Sequence, residues 1–189
     1  VREEETLRKI NNGTVRYLIL KVFVDAINTL TTVVESPKWS GETIKASTTK
    51  PFPWSKKVLD VKKTVLNFLP VDNNFEAEVA QFFDRAEDVL AFIKNDTRTL
   101  KLKIPYTSQK GVLRYYITDF VVKTAEGMVL VETKGREDVD VQFKDKRAEE
   151  WCKFATKLTK QNWSYLRINQ KDFQVRSWHR FSELVESRV

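Results

Sequence analysis

The stretch YYITDFVVKTAEGMVLVETKG, residues 115–135, decides the fold of this chain. Two runs of β-branched and aromatic residues flank a short turn with a glycine, which is the pattern of a β-hairpin. Charged residues nevertheless stand inside both apolar runs, Asp119 in the first and Glu132 and Lys134 in the second. A strand that is buried on both faces should carry no charge. The hairpin therefore either supports a charged site or carries edge charges that prevent aggregation.

The register of the hairpin depends on the length of its loop. If the loop has four residues, Lys123 pairs with Met128 and Asp119 comes to lie opposite Glu132; three or five residues would shift this pairing. Cross-strand partners have Cβ atoms about 4.5–5.5 Å apart, and like charges at that range destabilise the sheet. Lys134 lies on the same face as Glu132, two residues further along the strand. The sequence therefore predicts one cluster of two carboxylates and an ammonium.

A divalent cation would give this cluster a function. The two carboxylates and the main-chain carbonyl between Glu132 and Lys134 offer the hard oxygen ligands that Mg²⁺ prefers. Lys134 is then placed to hold or activate a water for in-line attack on a phosphodiester. The pattern indicates metal-assisted phosphoryl hydrolysis, and edge-strand protection stays open as the alternative.

The first third of the chain is predicted to be less regular. Residues 1–35 show helical spacing and predict a core helix; charged residues interrupt their most apolar part, residues 15–34, which excludes a membrane span or signal peptide. Residues 36–57 are rich in Ser, Thr, Pro and Lys and predict a loop or linker, and residues 58–71 are ambiguous between helix and strand. Because the first residue is Val1, we expect the chain to be a piece of a longer protein.

The rest of the chain predicts an α/β fold. Asp72, Asn73 and Asn74 are candidate N-caps of the first helix in this part. Because a helix connects the hairpin to the last strand, that strand should lie parallel to a neighbour in a central mixed β-sheet flanked by helices. We expect an N-terminal helical connecting region over 1–55 and one domain over 56–189. The predicted elements are a helix over 72–95, strands over 99–106, 113–123 and 128–134, a helix over 141–158, a strand over 163–169 and a helix over 172–188.

Composition limits the function further. With 189 residues, 41% of them hydrophobic, the chain can bury a core, and a net charge of +7 favours nucleic acid over an anionic membrane as partner. The single cysteine, Cys152, excludes an internal disulfide and fits a reducing, cytoplasmic compartment; we expect it to be a small buried residue. The sequence contains no Gly-x-x-x-x-Gly-Lys-Ser/Thr phosphate loop, so this fragment has no ATP site of that kind.

These residues carry a family resemblance. Asp119, followed after a turn by Glu132-Thr133-Lys134, resembles the PD-(D/E)xK nuclease superfamily, and the predicted element order is similar to its core. More narrowly, residues 115–152 resemble the C-terminal endonuclease region of the Res subunits of Type III restriction enzymes. The resemblance extends over roughly residues 72–187 and includes VETKGRED (131–138), the Lys-Asp and Trp-Cys of the next helix, and WSYLRINQKDF (163–173).

The resemblance implies roles for the matching positions. It makes Asp119 and Glu132 the metal-binding carboxylates, Thr133 the donor of a main-chain carbonyl and Lys134 the catalytic lysine. The implied cofactor is Mg²⁺, with Mn²⁺ as a substitute. Thr118 departs from the pattern, because related sequences usually carry a proline before the aspartate. A proline there shapes the backbone and performs no chemistry, so no ligand is lost.

A third carboxylate is implied on the first core helix. Glu76 matches the glutamate that related nucleases use there, as a catalytic residue that reaches the metal through water or binds a second ion. Glu78 is its nearby competitor. The spacing alone does not choose between them, because a glutamate in the first turn also stabilises the helix dipole.

The resemblance also implies partners. Lys144 matches a lysine of the related sequences and, with Arg114 and Lys146, is expected to contact DNA, although a solvated face is the alternative for these charges. The expected function is a Mg²⁺-dependent DNA endonuclease domain acting on double-stranded DNA. The implied partners are an ATP-dependent motor region of the same full-length chain and a modification methyltransferase subunit, with no membrane. The alternatives are a catalytically inactive DNA-binding or docking module that keeps the nuclease fold, and a structural connector.

Overall fold

The computed structural model describes residues 2–31, 43–109, 111–135 and 140–187. The helices are α1 (Arg2–Asn11), α2 (Gly13–Thr31), α3 (Asn74–Arg85), α4 (Val141–Thr159), α5 (Gln170–Val175) and α6 (Phe181–Glu186). The strands are β1 (Val58–Leu59), β2 (Leu69–Pro70), β3 (Val89–Lys94), β4 (Ile104–Thr107), β5 (Leu113–Tyr116), β6 (Phe120–Thr124), β7 (Met128–Lys134) and β8 (Trp163–Asn169). In residues 43–57, predicted to be a loop, the regular structure is a single 3₁₀ turn, Ala46–Thr48.

The central sheet has four strands in the order β3-β6-β7-β8. The pairs β3/β6 and β6/β7 are antiparallel, and β7/β8 is parallel. Helix α4 connects β7 to β8, so the predicted crossover and the mixed sheet are confirmed. The protein is therefore an α/β protein with N-terminal helices and a four-strand mixed sheet packed against helices.

The register of the hairpin agrees with the four-residue loop. Lys123 pairs with Met128, and the ladder between β6 and β7 continues outward to Phe120 and Val131. The loop is closed by the backbone N–H of Thr124, which donates to the carbonyl of Gly127 at 2.9 Å. The predicted pairing of the two strands is confirmed.

The prediction of one helix over 72–95 is wrong at its C-terminal end. Asn73 is the N-cap, but α3 ends at Arg85, and Ala86 already has extended dihedrals. Residues 89–94 form β3 and pair with β6 over its whole length. The short apolar run VLAFIK is compatible with both the helical and the strand period of hydrophobic residues. Its pairing with β6 makes it a strand.

Three other predicted elements are shorter or divided. The predicted strand 113–123 is two strands, β5 and β6, because the chain leaves the ladder at 117–119, and the predicted strand 99–106 begins only at Ile104. Strands β4 and β5 pair with each other outside the central sheet, as do β1 and β2 within the ambiguous residues 58–71. The predicted helix 172–188 is divided into α5 and α6, because Arg176 and Arg180 are extended.

Helices cover both faces of the central sheet. On one face, the ring of Phe83 in α3 contacts the rings of Phe92, Phe120 and Phe181 at centroid distances of 5.5–5.7 Å. On the other face, α4 buries Ala148 and Cys152 against sheet residues that include Leu130 and Tyr165. Cys152 is buried, as predicted, and burial raises the pKa of its thiol to about 12.

The prediction that the N-terminal region is a core helix is wrong within the described residues. Leu18, Val22, Phe23 and Ile27 in α2 are all more than half exposed. An apolar helix face predicts burial against another surface, but composition alone does not place such a surface beside it. Among the described residues, no helix combines the length and the apolar character that a membrane crossing requires.

Gly127 allows the turn of the hairpin to pack closely against the backbone of Asn162. Its φ is +150°, and a Cβ atom at this position would lie 2.3 Å from the carbonyl oxygen of Asn162. That carbonyl accepts the backbone N–H of Met128 at 2.8 Å, and the Asn162 side-chain amide donates to the carbonyl of Glu126 at 3.2 Å. The turn thus depends on close backbone contact with the residue that precedes β8.

We expect Gly127→Ala to lower the free energy of unfolding by about 2–4 kcal/mol, because the new Cβ is strained and collides with backbone. Urea unfolding measures the change. Gly13→Ala is the matched control, because a Cβ there meets nothing within 4 Å and alanine favours helix. Equal stability of the two variants would contradict the role assigned to Gly127.

Candidate active site

Asp119 is fastened to two strands where it enters β6. Its Oδ2 atom accepts hydrogen bonds from the backbone N–H of Thr133 at 2.7 Å and from the Thr133 hydroxyl at 2.6 Å. Its carbonyl accepts the backbone N–H of Asn95, just beyond β3, at 2.8 Å. The side chain and the backbone of Asp119 are therefore both held in place.

Thr118 occupies the position of the proline in the PD-(D/E)xK pattern, and polar contacts hold the backbone there. The residue is fully buried, and its hydroxyl accepts a hydrogen bond from the side-chain amide of Asn95 at 3.4 Å. Asn95 is buried too and bonds both the carbonyl and the N–H of Leu102, at 3.0 and 3.1 Å. A polar contact thus supports the backbone before Asp119, where a proline ring would restrict it.

Glu132 is the next residue outward from the last β6/β7 pair, opposite the position of Asp119. Its Oε2 atom is buried and has no hydrogen-bond partner. Burial and the charge of Asp119 raise the pKa of Glu132 to about 8, against a hydrogen bond from Tyr116 and the positive charges of Lys134 and Lys144. A carboxyl group with this pKa is mostly protonated at neutral pH unless a cation is bound beside it.

Thr133 lies between the two site residues of β7. Its N–H points at Asp119, and a strand residue directs its N–H and its C=O to the same edge. The Thr133 carbonyl therefore points toward the Asp119 side of β7. Asp119, Glu132, Thr133 and Lys134 are thus brought together at one end of the hairpin.

The chemistry of these donors fits Mg²⁺. An unpartnered carboxylate oxygen, a second carboxylate that raises its pKa and a carbonyl on the same edge are hard oxygen donors. In the described ranges, no set of three or more His, Cys, Asp or Glu side chains is arranged to hold a metal. The fit is therefore that of a two-carboxylate site, in which Mg²⁺ keeps several waters.

Glu76 and Glu78 point in different directions from α3. Glu76 is buried, and it accepts hydrogen bonds from the Asp72 backbone N–H at 2.9 Å and the Asn73 side-chain amide at 3.0 Å. Glu78 is exposed and accepts a hydrogen bond from Gln174 at 2.7 Å. Of the two glutamates, Glu76 is the one on the side of the sheet and Asp119.

Lys94 is a site residue that sequence reasoning missed. Its side chain is 3% exposed, and its ammonium forms ion pairs with Glu76, with Asp72 at 3.0 Å and with Asp119 at 3.9 Å. Burial lowers the pKa of Lys94, but the charges of Asp119 and Glu76 outweigh it, so the pKa lies above its usual value. The predicted helix over 72–95 hid this residue, because a lysine at a helix C-terminus is unremarkable. A strand assignment would have directed it into the core.

No protein-family model, curated protein or solved structure matches the chain. Its function is therefore inferred from the sequence motif and from the geometry of the residues around Asp119.

The three basic residues predicted to contact DNA lie on two elements, β5 and α4. Lys144 in α4 is within electrostatic reach of Glu132. Arg114 in β5 lies 3.7 Å from the carboxylate of Asp140, at the start of α4. Lys146 is exposed on α4. Residues 136–138 of the VETKGRED motif lie outside the described residues.

The raised pKa of Glu132 predicts a pH dependence of stability in metal-free buffer. Folding moves the pKa from its ordinary value of 4.5 to about 8, so the folded state holds a proton that the unfolded state has lost. Stability is therefore full below pH 4.5 and decreases as the pH rises through 8. We expect Glu132→Gln, which does not titrate, to gain roughly 2 kcal/mol over the wild type at pH 9, after allowance for solvent screening.

Urea unfolding of both proteins at several pH values between 5 and 9, with chelator present, measures this difference. Glu126→Gln is the matched control, because Glu126 is exposed on the turn of the same hairpin. A Glu132→Gln effect that is the same at pH 5 and pH 9 would show that Glu132 does not titrate in this way.

Proposed function

We propose that this chain contains a Mg²⁺-dependent DNA endonuclease domain with a PD-(D/E)xK restriction-endonuclease-like core. It is the cleavage domain of a Type III restriction enzyme Res subunit or of a related restriction or helicase-nuclease protein. The observation that carries the proposal is the unpartnered, buried Oε2 atom of Glu132 beside Asp119 and Lys134. A carboxyl group whose pKa is raised in this way lowers the stability of the folded domain. Such groups are expected where the charge has a function.

Each residue has a stated role in the proposed reaction. Asp119, Glu132 and the carbonyl of Thr133 would hold Mg²⁺, which when bound would supply positive charge against the negative charge that develops on the phosphate oxygens. The Thr133 N–H and hydroxyl fix the rotamer of Asp119, so that the whole carboxylate keeps a constant direction.

Lys134 orients the attacking water. It lies on the same face of β7 as Glu132, and its charge acts on that carboxyl group. In the hydrolysis, the water oxygen forms a new bond to phosphorus while the bond from phosphorus to the leaving sugar oxygen breaks. The water loses a proton and the leaving oxygen gains one, so the step needs no oxidant or other reactant.

The proposed partner of this site is double-stranded DNA. Lys144, whose charge reaches Glu132, is the proposed phosphate contact nearest to the carboxylates. Arg114 in β5 and Lys146 in α4 are the other two proposed DNA contacts. We propose that an ATP-dependent motor region of the same full-length chain and a modification methyltransferase subunit supply translocation and the choice of DNA site.

One observation favours the alternative of an inactive DNA-binding or docking module. Glu76, the residue expected to serve the metal from the first core helix, is bonded to Lys94 and to the cap of α3. If the reaction needs this carboxylate at the metal, the domain binds DNA without cutting it. Metal-dependent cleavage distinguishes the two functions.

We expect the protein to nick supercoiled plasmid DNA with Mg²⁺ or Mn²⁺ and not with chelator. Asp119→Asn and Lys134→Ala should each reduce the rate by at least about 100-fold, because they remove a metal ligand and the residue that orients the water. Asp119→Asn should still fold, because the amide oxygen of asparagine can accept both hydrogen bonds from Thr133.

Lys153→Ala is the matched control, because Lys153 is exposed on α4 and should leave the rate unchanged. DNA affinity is measured in parallel as a function of salt. Salt-dependent binding without cleavage would favour the inactive module. Absence of both binding and cleavage would contradict a DNA function altogether.

A further inference from the structure

The most unusual charge in the described domain is the ammonium of Lys94. Three carboxylates surround it, and they come from three parts of the chain: Asp72 before α3, Glu76 within α3 and Asp119 before β6. Lys94 itself is the last residue of β3. Its ion pairs therefore join the sheet, the first core helix and the proposed metal-binding aspartate.

A second lysine shares one of these carboxylates but is much more solvated. Lys56 pairs with Asp72 at 2.6 Å, and its side chain is 57% exposed, compared with 3% for Lys94. Charge that is exposed to water is screened, whereas a buried carboxylate needs a partner close by. Lys94 is therefore the positive charge on which Glu76, itself buried, depends.

The C-terminal end of β3 and the residue after it hold Asp119 in two ways. The residue after Lys94, Asn95, donates its backbone N–H to the Asp119 carbonyl at 2.8 Å. The Lys94 ammonium faces Oδ1 of Asp119, while Thr133 occupies Oδ2. The two oxygens of this carboxylate are thus assigned to different partners.

We infer that Lys94 is a positioning residue that acts as an internal cation, so that the proposed nuclease site takes one Mg²⁺ and not two. This inference rests on the proposed function. The ammonium pairs with Glu76 and Asp72 and faces Oδ1 of Asp119, the oxygen that Thr133 does not hold, and so takes the place that a second divalent ion would otherwise fill. Because it is covalently attached to β3, this charge cannot dissociate, and the first core helix stays ordered without added metal.

The direct test replaces the ammonium by an uncharged side chain of similar length. In Lys94→Met, the three carboxylates are left without their shared partner. We expect the melting temperature in chelator to fall by about 10 °C, because carboxylates are left buried and unpaired. Mg²⁺ or Mn²⁺ should restore at least half of this loss and should affect the wild type much less.

The number of bound ions is the second measurement. Titration of Mn²⁺, followed by calorimetry, should give one ion per chain for the wild type and two for Lys94→Met. Adding Glu76→Gln to Lys94→Met should return the count to one, because one of the three carboxylates is lost. A role confined to packing would change the melting temperature without changing the count.

Lys56→Met is the matched control. It removes the same chemical group from the same carboxylate, Asp72, at an exposed position. We expect a small change in melting temperature and one bound ion, as in the wild type.

Two results overturn the inference: two ions bound to the wild type, or a Lys94→Met variant whose stability and ion count do not respond to Mn²⁺. If Lys94→Met does not fold with or without Mn²⁺, the wild-type count decides alone, since one ion supports the inference and two overturn it. A wild type that binds no Mn²⁺ contradicts the proposed function. In that case the gain of one ion in Lys94→Met still supports the internal cation, and no gain overturns it.

Discussion

The register of the β6/β7 hairpin is the constraint on which the rest of the structure depends. It is set by a four-residue loop that pairs Lys123 with Met128 and brings Gly127 into contact with the backbone before β8. A shift by one residue would turn every side chain of a strand to the opposite face. With the observed register, Phe120 and Val131 pack in the core beneath α3, and Asp119 reaches Thr133. The hydrophobic core and the candidate site are therefore fixed by the same pairing.

The candidate site contains an electrostatically unfavourable arrangement that the fold alone does not require. Glu132 keeps a buried oxygen without a partner, and its pKa is raised by burial and by the neighbouring Asp119. Sequences that fold without a functional demand satisfy such groups or replace them by apolar ones. A bound cation would offset the cost at Glu132, and this is the physical reason for proposing a metal-dependent activity rather than edge-strand protection.

The two sides of Asp119 present different electrostatics. Toward β7 it meets Thr133 and the high-pKa carboxyl of Glu132, a combination that a divalent cation would stabilise. Toward β3 it meets Lys94, which already balances Glu76. Asp119 therefore lies between the ammonium of Lys94 and the carboxyl group of Glu132. Its charge is neutralised on the Lys94 side and not on the Glu132 side. In the proposed function, this asymmetry would favour a single ion on the β7 side, because Glu76 is already paired with Lys94.

The sequence by itself determined the hairpin, α4 and the parallel β8, because each follows from local period and chain connection. The register of the hairpin, which places Asp119 opposite Glu132, needed the tertiary structure, because a loop of three or five residues would have shifted the pairing. Tertiary structure decided whether residues 89–94 continued a helix or formed β3, since an apolar run of six residues satisfies both periods until β6 offers its open edge. The burial of Lys94 followed from that choice and was invisible without it. Likewise, the sequence shows that α2 has an apolar face that can be buried. Whether that face is buried depends on the neighbouring surfaces, because the hydrophobic effect is non-directional and does not specify which surface covers it.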